Sequence, residues 1–285
     1  MKIKMSNVKV VSLINMKGGV GKTTITANLG RALAEFHNKK VLLIDIDMQA
    51  NLSQYFMKPQ EYVDWITKKN GFKDKLTIMD IYRKQSIAEP SVVKKGGRKV
   101  QKNELSLENL TFRVFKKDDS YLDLIPSTLE LVDLDPTSAE NRLKRFVDKI
   151  KDKYDFIFID CPPTMYFFTK SALIASDAYL VPIKPDHLSS FGFIILEKAI
   201  EQVSYDYDVS LVKIGLIFTL VRGRLTKLMK TTMSNIRKLP NIYVFNNVIT
   251  DLTCVGEASK ENKTVFEFSD AVQSANEFKK LCEEL

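Results

Sequence analysis

The 285-residue sequence predicts a single α/β domain, residues 1–285, with a doubly wound, mainly parallel sheet and helices on both faces. Two observations predict this fold class. Short apolar runs alternate along the chain with stretches of helical spacing, and a glycine-rich loop joins the first run to the first such stretch. The chain length and a hydrophobic content of 45% suffice for one large core.

Each apolar run is short enough for a buried strand. The predicted strands span 8–14, 41–46, 121–125, 154–159, 178–183, 212–218 and 242–249, and the predicted helices span 23–36, 127–150, 188–204, 224–239 and 269–284. The segment from about 58 to 120, which contains Trp65 and the basic run 94–102, does not fit this alternation. We interpret it as an insertion, partly helical and with a mobile basic loop.

The glycine-rich loop reads NMKGGVGKTT, residues 15–24. Its glycines lack the Cβ atoms that would keep the backbone away from a polyphosphate, so successive N–H groups can surround the phosphates. A preceding strand and a following helix complete the arrangement of a P-loop. The candidate nucleotide contacts are Gly18, Gly19, Val20, Gly21, Lys22, Thr23 and Thr24. We expect Lys22 to neutralise the β and γ phosphates and the Thr23 hydroxyl to bind Mg²⁺.

The loop departs from the general P-loop pattern, which has glycine where this chain has Met16, and it carries a second lysine, Lys17. In these respects KGGVGKTT resembles the deviant Walker A motif of the ParA/MinD family of P-loop ATPases. The resemblance implies a homodimer in which two subunits enclose two ATP molecules and Lys17 reaches the partner's nucleotide, much as an arginine finger does. The alternative for Lys17 is a solvated loop lysine.

Two further runs end in carboxylates. Strand 41–46 leads to Asp45 and Asp47, at the sheet edge where α/β proteins bind ligands. LLIDIDMQANLS resembles the first switch of the family, which implies that Asp47 orients the attacking water and that Asp45 lies near the Mg²⁺ shell. An alternative is that both aspartates only cap the next helix. Strand 154–159 ends at Asp160, the arrangement of a Walker B carboxylate near Mg²⁺, and DCPP resembles the second switch.

The composition excludes several other classes. Cys161, Cys254 and Cys282 are widely spaced and odd in number, which argues against a disulfide framework, a zinc site or a bound cluster. No stretch approaches the roughly 20 apolar residues of a membrane span. We therefore expect a soluble cytoplasmic protein with no membrane partner.

The formal net charge of +8 is unevenly distributed. No Asp or Glu occurs between Asp208 and Asp251, and the basic residues of that interval cluster around helix 224–239. At about 100° per residue the helical cations share an arc of about 140°, with Leu228, Met229 and other apolar residues opposite them. The candidate DNA contacts are Arg222, Arg224, Lys227, Lys230, Arg237 and Lys238. A merely solvated face, or a face for acidic lipid or protein, is the alternative.

Together these features predict an Mg²⁺-dependent ATPase that partitions plasmid or chromosomal DNA. The resemblance to ParA-type proteins implies an ATP-bridged dimer on nucleoid DNA that binds without sequence preference. A ParB-like, centromere-binding adaptor would stimulate hydrolysis and so release the dimer. The alternatives are a related ATPase that positions a protein cargo, a MinD-like membrane regulator, and a non-enzymatic switch in which ATP only locks the dimer.

Overall fold

The computed structural model describes residues 9–83, 105–134, 139–187 and 189–285. They form one seven-stranded sheet in the order β3-β4-β2-β5-β1-β6-β7. The strands are β1 Val10–Leu13, β2 Lys40–Asp45, β3 Phe112–Lys117, β4 Ser120–Ile125, β5 Phe156–Asp160, β6 Ala178–Ile183 and β7 Val212–Phe218. All neighbouring strands are parallel except β3 and β4, which are antiparallel, so the predicted mainly parallel sheet is confirmed.

Helices cover both faces of the sheet. They are α1 Lys22–Phe36, α2 Asn51–Phe56, α3 Pro59–Thr67, α4 Ile78–Tyr82, α5 Leu107–Leu110, α6 Asn141–Ile150, α7 Phe167–Ala175, α8 Ser189–Tyr207, α9 Lys227–Arg237, α10 Thr253–Lys260 and α11 Val272–Glu284. Side chains of each strand alternate between the faces: Leu43 packs in the core layer with α1 and α11, whereas Leu42 and Ile44 pack in the layer with α4 and α6. The fold is therefore doubly wound, as predicted.

The topology brings three loops to one edge of the sheet. The central strands β2, β5 and β1 are parallel neighbours, and Asp160 at the end of β5 is in register with Leu13 on one side and Asp45 on the other. The P-loop follows β1, and Asp47 lies two residues beyond β2. Candidate residues that are far apart in sequence are therefore adjacent in space.

Three element predictions were wrong. Segment 242–249 is not a strand: its bridge to β7 at Val244 is isolated, because the N–H groups of Asn246 and Asn247 donate to the Glu284 carboxylate and interrupt the ladder. Helix 127–150 was predicted too long, since Leu129–Asp133 is a 3-10 turn and the α-helix begins at Asn141. Helix 224–239 begins only at Lys227, where the Thr226 hydroxyl accepts a hydrogen bond from Met229 N at 3.2 Å and caps the helix.

Other elements went unpredicted. Helix α7 is apolar on nearly all sides, so its sequence carries little helical periodicity. The proposed insertion at about 58–120 stays an interpretation. Its described parts contain α3, α4, α5 and the antiparallel edge strand β3, and the basic run 94–102 lies outside the described residues.

Candidate nucleotide-binding site

The loop between β1 and α1 has the backbone that its glycines suggest. Gly19 and Gly21 have φ angles of 65° and 83°, in the left-handed region that favours glycine. Open space surrounds the positions where Cβ atoms would stand at Gly18 and Gly19. The backbone is therefore accessible to a ligand from this side, and Gly21 directly precedes the N-terminus of α1.

Lys22 folds back along the loop. Its Nζ donates hydrogen bonds to the carbonyl oxygens of Asn15, at 3.1 Å, and Lys17, at 3.4 Å, and only 7% of the residue is exposed. Burial lowers the pKa of Lys22, while the charge of Asp160 opposes that shift. An anion bound in the loop would stabilise the charged form of this buried ammonium group.

Thr23 and Asp160 meet at the deep end of the loop. The Thr23 hydroxyl donates to Asp160 Oδ2 at 2.7 Å, and the Thr26 hydroxyl approaches Oδ1 at 3.5 Å. Burial raises the pKa of Asp160 to about 7, although the Thr23 hydrogen bond and Lys22 oppose the shift. A hydroxyl and a buried carboxylate at this distance are oxygen donors of the kind that Mg²⁺ prefers.

Asp45 is fully buried and holds the loop after β2 in place. Its carboxylate accepts hydrogen bonds from Ser53 N at 2.8 Å, Ser53 Oγ at 2.7 Å and Asp47 N at 3.1 Å. Burial and the neighbouring Asp160 raise the pKa of Asp45 to about 8. Asp45 thus lies beside Asp160 but also bonds the first turn of α2, the contact that the capping alternative described for this aspartate.

Asp47 faces a pocket of about 830 Å³ that borders the P-loop. Only 8% of Asp47 is exposed, and its Oδ1 accepts a hydrogen bond from Gln49 N at 3.0 Å. Its lining also contains Pro162, Pro163 and Thr164 from the loop after β5. The pocket therefore joins all three predicted loops, which is the arrangement that phosphoryl chemistry requires.

Lys17 is placed differently from Lys22. Its backbone N donates to Asn15 Oδ1 at 2.9 Å, and its Nζ forms an ion pair with Asp186, which lies between β6 and α8. The Lys17 side chain is about half exposed. The side chain therefore lies on the surface of its own chain, where solvent contacts it.

Two further features of the site are its possible metal ligands and the Cys161 thiol. Within residues 9–83, 105–134, 139–187 and 189–285, no group of three or more His, Cys, Asp or Glu side chains could hold a metal by itself. The Thr23 and Asp160 pair therefore fits Mg²⁺ only where phosphate oxygens and water complete the shell. Cys161 is buried against β5, and burial raises the pKa of its thiol, which suits packing and not nucleophilic chemistry.

A second pocket, of about 320 Å³, opens from the P-loop at Gly21 and Thr24. Most of its lining surface is apolar, although polar residues contribute to it. The lining beyond the P-loop and α1 comprises Thr219, Leu220, Ile249, Thr250, Asp251, Leu252, Thr253, Val255, Gly256 and Ser259. These residues were missed from the sequence. They come from the ends of β7 and of segment 242–250 and from α10. No sequence motif or periodicity predicts that these three parts of the chain line one pocket.

The basic candidates lie on and before α9. Arg222, Arg224, Lys227, Lys230 and Lys238 are exposed. Arg237 is exposed as well, but its guanidinium group contacts the protein, since it donates to Phe245 O at 3.3 Å and lies over the Phe218 ring. Met229, Thr232 and Ile236 form the buried face of the helix, whereas Leu228, which was expected on that face, is half exposed.

A family model described as an AAA domain matches residues 8–213. The chain is 29% identical over 289 residues to a "ParA family protein" of Chlamydia trachomatis, with 97% of each chain covered. It is 28% identical over 277 residues to the "Chromosome-partitioning ATPase Soj" of Treponema pallidum, covering 97% of this chain and 96% of that protein.

Among solved structures, the fold is similar to that of a plasmid partition protein from Borrelia burgdorferi. The TM-score is 0.66 and the identity 22%, with 98% of this chain and 99% of that chain covered. No helix in the described parts of the chain is long and apolar enough to cross a membrane.

Proposed function

The chain belongs to the ParA-like family of P-loop ATPases, and on this premise we propose that it is a DNA-partition ATPase of plasmid or chromosomal DNA. One observation carries the proposal: residues 18–24 of the deviant P-loop, including Lys22, share a pocket with the Asp47 carboxylate. Relatives that match nearly the whole chain include a protein named as a chromosome-partitioning ATPase.

Within the site, the N–H groups of residues 18–24 and the Lys22 ammonium bind the phosphates of ATP. Thr23 and Asp160 hold Mg²⁺, which when bound neutralises charge on the phosphates. The nearly buried Asp47 carboxylate orients the attacking water from the pocket wall.

Lys17 acts on a second subunit. Its half-exposed side chain lies on the rim of the site, and an ammonium group at that place adds positive charge to a nucleotide shared with a partner. In this proposal ATP bridges a homodimer, and separation of Lys17 from Asp186 accompanies assembly. Hydrolysis, stimulated by a ParB-like adaptor bound at the centromere, ends the dimeric state.

The dimer binds nucleoid DNA without sequence preference. Arg222, Arg224, Lys227 and Lys230 support this step, since all four are exposed and no acidic residue occurs from 209 to 250. A solvated charge face ordinarily mixes both signs. A surface of one sign suits phosphate backbones and makes binding sensitive to salt through counterion release.

The test is binding to random-sequence duplex DNA with ATP, ADP or no nucleotide across a salt series. The variant Arg224→Ala/Lys227→Ala/Lys230→Ala removes three charges from the proposed surface. Its matched control is Lys116→Ala/Lys117→Ala/Lys149→Ala, which removes three exposed charges elsewhere. We expect ATP-dependent, salt-sensitive binding by the wild type and the control only.

Two outcomes contradict the proposal. If no nucleotide state binds DNA, the partition function is wrong and another partner must be sought. Equal losses in both triple variants would show that net charge, and not this surface, governs binding.

A further inference from the structure

Segment 242–251 has backbone partners on two sides. Towards β7, Phe245 N donates to Leu216 O, and Ile249 N donates to Phe218 O, both at 2.9 Å. Towards α11, the N–H groups of Asn246, Asn247 and Thr250 donate to side-chain carboxylates. A helix thus supplies acceptors that a neighbouring strand would supply in a complete ladder.

Glu277 holds the end of this segment with both of its oxygens. Thr250 N donates to Oε2 at 2.8 Å and Thr250 Oγ1 donates to Oε1 at 2.6 Å. Gln273 Nε2 donates to the same Oε1 at 3.0 Å, and Asn247 Nδ2 donates to the Glu277 carbonyl at 2.7 Å. Thr250 is 9% exposed, so the loss of this partly buried contact leaves the Thr250 N–H and hydroxyl poorly placed to find water instead.

Thr250 also lines the pocket of about 320 Å³ beside the P-loop. The same lining contains Thr219, whose hydroxyl donates to the carbonyl of Val20 at 2.7 Å and so ties the end of β7 to the P-loop. The lining at Thr219 is therefore hydrogen-bonded to the phosphate-binding loop, and the lining at Thr250 is hydrogen-bonded to α11. We expect both sets of hydrogen bonds to set the shape of the pocket.

We infer that Glu277 is a positioning residue for the nucleotide. By holding Thr250, it sets the wall that receives the base and ribose, while the phosphates bind at the P-loop. The size of the pocket and its largely apolar walls fit a nucleoside. This inference rests on the proposed ATPase function and assigns a role in it to the C-terminal helix.

Glu284 provides an internal comparison on the same helix. Its carboxylate accepts hydrogen bonds from Tyr243 Oη at 2.6 Å and from the N–H groups of Asn246 and Asn247 at 2.6 and 3.1 Å. The chemistry matches that of Glu277, but Tyr243, Asn246 and Asn247 are not among the residues that line the two described pockets. A purely structural role would therefore make Glu277 and Glu284 equivalent.

The experiment compares Glu277→Gln, Glu284→Gln and the wild type in binding of ADP and of inorganic tripolyphosphate, both with Mg²⁺. Tripolyphosphate reports on the P-loop alone, and ADP reports on the P-loop and the nucleoside pocket together. Glutamine keeps the shape of the side chain, but its amide nitrogen cannot accept from Thr250. We expect Glu277→Gln to weaken ADP binding about 10-fold, as for a lost charged hydrogen bond. Its tripolyphosphate affinity stays within about two-fold, as for a site outside the P-loop.

Three further readouts sharpen the test. Glu284→Gln keeps both affinities at the wild-type level. In turnover, Glu277→Gln raises KM for ATP and leaves kcat unchanged, because the reacting phosphate is not displaced. Thr250→Val, which removes the hydroxyl from the other side of the contact, weakens ADP binding, and its effect is not additive with that of Glu277→Gln.

The inference is overturned if Glu277→Gln weakens both ligands equally, if it weakens neither, or if Glu284→Gln has the same effect. Should Glu277→Gln fail to fold, Thr250→Val decides by the same ADP and tripolyphosphate comparison. A wild-type chain that binds neither ligand would refute the ATPase function itself, whereas failure of the inference alone leaves wild-type binding intact.

Discussion

The phosphate-side and nucleoside-side ends of the candidate site differ in how many chain segments supply them. Ten consecutive residues, 15–24, form the phosphate-side loop, and Lys22 is held by carbonyl groups of that same loop. The smaller pocket at the nucleoside side takes its walls from the ends of β7, segment 242–250 and α10, with the wall at Thr250 held by α11.

This difference predicts which substitutions affect every phosphate-containing ligand and which affect only ligands with a nucleoside. A change in the P-loop alters the backbone that every phosphate group meets, so it affects all nucleotide ligands. A change in the hydrogen bonds between α11 and Thr250 shifts only the lining at Thr250 and leaves the P-loop intact. The following predictions test this contrast, from the largest expected effect to the smallest.

Lys22→Ala should abolish nucleotide binding, with a loss of at least about 100-fold, because it removes a buried cation and its two hydrogen bonds to the loop. Isothermal titration with ADP and with tripolyphosphate should show the same loss for both. Lys40→Ala, an exposed lysine at the opposite end of the sheet, is the control. Retention of tripolyphosphate binding would break the proposed division between the two ends.

Asp47→Ala should lower kcat about 10²- to 10⁴-fold, as for loss of a group that orients or deprotonates water. Nucleotide affinity should change little, since Asp47 lines the pocket beside the loop and contributes no part of it. Single-turnover hydrolysis and ADP titration separate the two effects. Hydrolysis at the wild-type rate would show that Asp47 does not orient the water.

Ser53→Ala should lower the free energy of unfolding by about 1–3 kcal/mol, because the buried hydroxyl both donates to Asp45 and accepts from Ser127 N. Urea denaturation measures the change. Ser269→Ala, an exposed serine, should be nearly neutral. If Ser53→Ala proved equally neutral, the Ser53 hydroxyl would contribute nothing to the contact between Asp45 and α2.

Asp186→Asn should lower the ATP concentration that gives half-maximal dimerisation by about two- to five-fold, the range expected for a partly exposed ion pair. The substitution frees Lys17 from its own subunit and keeps the acceptor for the Ser189 hydroxyl, at 2.8 Å from Asp186 Oδ1. Sedimentation at several ATP concentrations measures the shift.

The control for this change is Asp152→Asn, which breaks the Lys9–Asp152 pair of 3.1 Å without touching the P-loop. A higher ATP requirement for Asp186→Asn would mean that Asp186 contributes to the dimer and does not restrain Lys17.

Glu284→Gln should have the smallest effect, which depends on pH. Partial burial acts to raise the pKa of Glu284, but hydrogen bonds from Tyr243, Asn246 and Asn247 outweigh it and lower the pKa. A carboxyl with a lowered folded pKa stabilises the protein above its unfolded pKa, about 4.5, and that stability is lost as pH falls through the folded value.

Urea denaturation at pH 5 and pH 3 should therefore show a loss for the wild type that is smaller in Glu284→Gln, by less than about 1 kcal/mol because the group is partly exposed. The exposed Glu283→Gln should behave as the wild type. An unchanged acid sensitivity in Glu284→Gln would contradict the assigned hydrogen bonds.

Contiguous signals account for the successful predictions. The glycine-rich stretch between an apolar run and a helical stretch predicted the loop between β1 and α1, and the apolar runs before Asp45 and Asp160 predicted parallel strands that end at one edge. Segment 242–249 was predicted as a strand because its apolar content is that of one. Its chain neighbours do not reveal that Glu277 and Glu284 bond to its N–H groups.

The sequence by itself determined the doubly wound fold and the strand, loop and helix around residues 15–24, because apolar periodicity and glycine content are local properties of the chain. The tertiary structure alone decided that Lys17 pairs with Asp186, that Asp45 lies beside Asp160, and that α11 holds Thr250. These contacts join residues separated by up to 169 positions, and the packing of the layers, not the chain, sets their distances.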